Sequence, residues 1–177
     1  YFTGLKFRRT ERMHSAVLPA KGEIVYISPA FEVEKLKTMT SFGETIAVWE
    51  EDEDPTATVT ETVRQLGYPS GTIAVDEATP FFTFDGLRRA GNAYTFINAT
   101  DVTAGCRMIK SEQELALMQT AKNITLEAHK AAARIMREGI TTTEVQAFLT
   151  AAHRKLGSEG DPPFNAVLFG EATAYPH

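Results

Sequence analysis

Between residues 16 and 106 the sequence alternates short β-branched apolar runs with stretches of helical spacing, and that alternation confines the chain to an α/β sheet covered by helices. Ala16-Val17-Leu18-Pro19 and Ile24-Val25-Tyr26-Ile27 flank Ala20-Lys21-Gly22-Glu23, which predicts an antiparallel hairpin turned at Gly22. Phe31, Val33, Leu36 and Met39 then recur near helical spacing, ahead of a strand over Thr45-Ile46-Ala47-Val48-Trp49. Five consecutive acids, Glu50 to Asp54, lead into Pro55, so Asp54 is placed as a helix cap and Pro55 at the first helical position. Val59, Val63 and Leu66 give that helix its apolar stripe, and Gly67 ends it. The acids lack the alternating ligand spacing of a calcium loop and read as a solvated turn at a positive helix terminus. A third unit follows, with strand Thr72–Val75, Thr79 as cap with Pro80 at the helix start, a short helix closed by Gly91, and strand Tyr94–Ile97.

At Arg107 the character changes to long helical periodicity. Ser111 faces Glu114 three residues on, a capping box that opens a helix with an apolar stripe through Leu115, Met118, Ala121, Ile124, Ala128 and Ile135. Thr141 and Glu144 form a second box, followed by Val145, Phe148, Leu149, Ala152 and Leu156. Two antiparallel helices are therefore expected. A Pro- and Gly-rich loop from Gly157 to Pro163 leads to an apolar strand from Phe164 to Phe169, a turn begun by Gly170, and a final Pro176-His177 pair.

Composition narrows the function. With 43% hydrophobic and 23% charged residues the chain can bury a core, and a net charge of −5 with scattered basic residues disfavours nucleic-acid and anionic membrane partners. No run is long and apolar enough to span a bilayer, and the one cysteine, Cys106, has no partner for a disulfide or a metal site, so a cytoplasmic location is expected. The chain has no His-Glu-x-x-His, paired Cys-x-x-Cys, Gly-x-Ser-x-Gly or phosphate-binding glycine loop. Ser111 and Cys106 lack an adjacent base, which argues against either as a nucleophile. His14, His129 and His153 read as structural or solvated histidines.

Three strings taken together resemble a known family. Arg107-Met108-Ile109-Lys110-Ser111-x-x-Glu114, Gly139-Ile140-Thr141-x-x-Glu144 and Phe169-Gly170-Glu171-x-x-Ala174-x-Pro176-His177 occur in the order and spacing that open the catalytic domain of the creatinase/aminopeptidase P/prolidase enzymes, the "pita-bread" metallopeptidases. Tyr1-Phe2-Thr3-Gly4 and the Trp49 to Pro55 segment are similar to less specific features of the same family's N-terminal domain. The resemblance implies a creatinase-like N-terminal domain over residues 1–106, incomplete at its start, with a mixed sheet and covering helices. Residues 107–177 would then be the opening helices and first strand of a pita-bread α+β domain.

The resemblance further implies an Xaa-Pro dipeptidase or aminopeptidase that cleaves peptides with proline at the second position, acting as a homodimer with two divalent ions (Mn, Co, Zn or Fe) that activate water. His177 would hydrogen-bond substrate or the tetrahedral intermediate, with Phe169 lining the same pocket, although the residues alone would read His177 as an ordinary surface histidine. The family's metal ligands lie downstream of His177, so no metal ligand and no activity are expected within residues 1–177. Two alternatives stay open: a creatinase-like or other small-zwitterion hydrolase of the same fold, and a non-catalytic peptide- or protein-binding member.

Overall fold

The computed structural model describes residues 1–7 and 10–175, and the chain divides after Ile109 into two units. In the first, β1 (Ser15–Val17) pairs antiparallel with β2 (Val25–Pro29), and β2 pairs parallel with β3 (Thr45–Trp49). The hairpin and the Thr45–Trp49 strand form as the sequence predicts. The β2–β3 connection is a 3₁₀ turn at Ala30–Glu32 running into α1 (Val33–Met39), the crossover that a parallel pair requires. Every residue of β2 is buried, because it lies between two strands and is covered on its faces. A second, two-stranded parallel sheet joins β4 (Gly71–Val75) to β5 (Tyr94–Asn98), so the unit is a mixed α/β layer structure as expected.

Two helices of this unit start where a short polar side chain satisfies a free backbone donor. α2 (Pro55–Gln65) is capped by Asp54, whose carboxylate accepts from Thr56 N at 2.9 Å, with Pro55 in the first turn as predicted. α3 (Phe81–Ala90) differs by one position from the expected start. Asp76 builds the preceding turn by accepting from Ala78 N, and extended Pro80 stands at the cap with no side-chain bond, so Thr79 does not cap. α4 (Thr100–Met108) is a helix that the sequence reading did not find. Asn98, the last residue of β5, supplies its opening turn by accepting from both Thr100 N and Thr100 Oγ1. The core gathers Ile27, Trp49, Val59 and Leu87, with Val17, Ala47, Val75 and Phe96 packed around them.

The second unit is a helical hairpin of α5 (Glu112–Ile135) and α6 (Thr142–Lys155). Both capping boxes form in full, with Ser111 and Glu114, and Thr141 and Glu144, exchanging reciprocal hydrogen bonds. Ala128, Ala132, Val145 and Leu149 make its core, with Ile140, Phe148, Ala152 and Val167 against them. The apolar stripe expected from Leu115 to Ile135 is buried only in its second half. Leu115 and Met118 are 54% and 56% exposed. The reason is length: at 1.5 Å per residue α5 runs about 36 Å and α6 about 21 Å, so the first turns of α5 extend past their partner.

Candidate functional site

The segment that follows α6 is built from polar ties rather than from a sheet. Arg154 grips Asp161 with two parallel hydrogen bonds of 2.6 and 2.7 Å and thereby closes the Pro-rich loop onto the end of α6. Gln146 Nε2 donates to the Asn165 carbonyl at 3.2 Å, and Asn165 Nδ2 reaches Thr150 Oγ1 at 3.5 Å. Val167 packs on the hairpin core. The Phe164 to Phe169 segment is thus not a strand, which corrects the sequence expectation, because among the described residues of this unit there is no strand for it to pair with.

Gly170 then turns the chain. Its φ of +57° lies in the left-handed region that glycine enters without strain, and a 3₁₀ turn over Gly170–Ala174 follows. Thr173 Oγ1 closes this turn by donating to the Gly170 carbonyl at 2.7 Å. Phe169, proposed from sequence as a pocket residue, stands in extended conformation immediately before the turn with 38% of its surface exposed, and Tyr175 after the turn is 77% exposed. Pro176 and His177, the second of which was assigned the catalytic role, lie outside the described residues.

Electrostatics fix the first turn of α6. Glu144 at the start of α6 accepts from Thr141 N and Thr141 Oγ1 and pairs with Arg137 at 2.7 Å. The Thr141 backbone bond first, then its hydroxyl and Arg137, hold the Glu144 carboxyl down to about 2. His153 is buried and donates from Nδ1 to the Leu149 carbonyl at 2.8 Å, which makes it a satisfied structural histidine, as read. His129 is exposed on α5.

The first unit also contains a cleft of about 650 Å³ that no sequence motif marks as a site. Trp49, Met13, Pro55 and Phe82 form its apolar part, and Arg12, Glu51 and Arg89 stand among its charged residues. Trp49 donates from Nε1 to the Met13 carbonyl at 3.1 Å, and Arg12 makes a bidentate pair with Glu51 at 3.1 and 2.7 Å. That hydrogen bonding lowers the Glu51 carboxyl below its ordinary value and raises Arg12. The signal available in sequence was the acidic run after Trp49, whose Glu51 is one member of this pair.

His14, expected to be structural or solvated, is the partner of Glu32 through Nε2 and lies 4.2 Å from the Phe7 ring. Burial pushes the Glu32 carboxyl up, but hydrogen bonds from His14 and Lys35 outweigh it and leave the carboxyl below its ordinary value.

Among the described residues no three His, Cys, Asp or Glu side chains come together to hold a metal ion. The described side chains therefore do not fit a dinuclear centre. No helix among them is long and apolar enough to cross a membrane.

Residues 1–109 match the family model described as the creatinase/prolidase N-terminal domain. The chain belongs to the creatinase/prolidase family. Its residues 116–177 match the model of metallopeptidase family M24, so the two parts of a creatinase/prolidase-type protein follow one another in this chain. An uncharacterized peptidase of Staphylococcus aureus is 24% identical over 177 residues, which cover 100% of this chain and 48% of that protein. Among solved structures, the dipeptidase PepE of Mycobacterium ulcerans is similar with a TM-score of 0.78 and 26% identity over 90% of this chain and 43% of that one. The X-Pro aminopeptidase of Thermotoga maritima is similar with a TM-score of 0.62 and 27% identity over 78% of this chain and 37% of that one. This creatinase/prolidase-family chain spans about half the length of the curated relatives it matches. The family and its creatinase-like fold thus agree with the resemblance drawn from the three sequence strings.

Proposed function

We propose that this chain is the opening part of a dinuclear metallopeptidase that cleaves peptides with proline at the second position. The observation that carries the reading is the succession of a creatinase/prolidase N-terminal domain over residues 1–109 and an M24 segment over residues 116–177. The similarity to an X-Pro aminopeptidase supports the proline preference, and the M24 match supports divalent metal ions as the cofactor. In this reading the metal ligands lie downstream of residue 177, outside the matched part, which covers 48% of a curated relative.

In this reading the Gly170 turn presents the end of the chain to substrate. Phe169 lines the pocket, and the His177 imidazole donates a hydrogen bond to the carbonyl oxygen as negative charge develops on it. The N-terminal domain serves dimerisation, and the intact protein works in the cytoplasm.

Elemental analysis and peptide hydrolysis on the full-length protein test the proposal. Two divalent ions per subunit, with cleavage of Xaa-Pro dipeptides well ahead of dipeptides lacking proline, support it. Metal-dependent cleavage indifferent to proline would retain the peptidase and discard the specificity, and absence of both metal and cleavage would overturn the enzymatic reading in favour of a binding protein. In the full-length protein His177→Ala should lower kcat about 10²- to 10³-fold, the loss expected for one positioned donor to a developing oxyanion. An unchanged kcat removes His177 from the site. Residues 1–177 alone should bind no stoichiometric Mn²⁺ or Zn²⁺ and should cleave no Xaa-Pro peptide, and detection of either would refute the placement of the ligands.

A further inference from the structure

We draw no further inference here: the strongest candidate, the small cavity beside His14 between the N-terminal segment and α1, presents to a ligand two polar atoms unpartnered among the described residues, Ser15 Oγ and the Nδ1 of a His14 ring already paired with Glu32, and nothing in the structure shows what would occupy it.

Discussion

Replacing Thr141 by Ala isolates the contribution of a single cap to the unit that carries the candidate site. Thr141 Oγ1 accepts from Glu144 N at 3.2 Å and donates to Glu144 Oε2 at 2.9 Å, and both bonds vanish in the variant. Thr141 and Glu144 are exposed, so water takes over the freed groups and the cost is that of an ordinary lost cap, about 1 kcal/mol, rather than the larger penalty of a buried orphan. For a unit of this size that is a fall in Tm of about 4–8 °C. Thermal and urea unfolding followed by circular dichroism, on the protein and on Thr141→Ser, provide the measurement. The serine variant should retain most of the stability, because it keeps the hydroxyl.

The same cap has a pH signature. The Glu144 carboxyl is lowered from 4.5 to about 2, so its stabilising effect is fully present above pH 4.5 and is lost as the pH falls from there towards 2. Glu144→Gln should flatten the stability profile across that window. If Thr141→Ala leaves Tm unchanged, or Glu144→Gln retains the full acid-dependent loss, the assignment of the box as the anchor of α6 is wrong.

Three further perturbations test other parts of the structure. Gly91→Ala should destabilise the first unit by about 1–3 kcal/mol, because a Cβ there would lie 2.8 Å from Phe96 Cζ and 2.9 Å from the Leu87 carbonyl, which cannot retreat; an unchanged denaturation midpoint contradicts the packing. Ile27→Ala, at a fully buried position in the middle of β2, should cost about 2–5 kcal/mol by equilibrium unfolding, and a cost under about 1 kcal/mol would mean that β2 is not central. Gln146→Ala removes the donor that holds the Asn165 carbonyl, so limited proteolysis should cut the 157–169 segment faster while the rest of the chain resists equally well; an unaltered cleavage rate would show that this bond does not restrain the segment.

Much of the architecture was legible because it rests on local chemistry. Asp54 before Pro55, and the Ser111–Glu114 and Thr141–Glu144 pairs, satisfy backbone donors within their own helices and need nothing from elsewhere in the chain. What escaped the reading depends on neighbours or on atypical signals. α4 was hidden because Gly105 and the β-branched Val102 and Thr103 weaken its helical signal, and its opening bonds come from the preceding strand residue Asn98. The Phe164 to Phe169 run has the composition of a strand, but a strand is defined by a partner, and none is present among the described residues of its unit. The same holds for Leu115 and Met118, which are spaced for burial on a helix whose hairpin partner is too short to reach them. Near the candidate site, the turn at Gly170 was readable from its glycine, whereas the acidic run after Trp49 signals Glu51 but not its partner Arg12, which lies far away in sequence.

The position of β2 also bears on the order of assembly. Its pairing with β1 runs from Val17↔Val25 to Ser15↔Ile27, close enough along the chain for the hairpin to close in microseconds. Its other neighbour, registered from Val25↔Thr45 to Pro29↔Trp49, can dock only after the α1 crossover has brought the chain back, and that longer closure carries the greater entropy cost. The three-stranded sheet therefore grows outward from one edge, and the buried Trp49 side chain is a natural fluorescent reporter of when its last strand arrives.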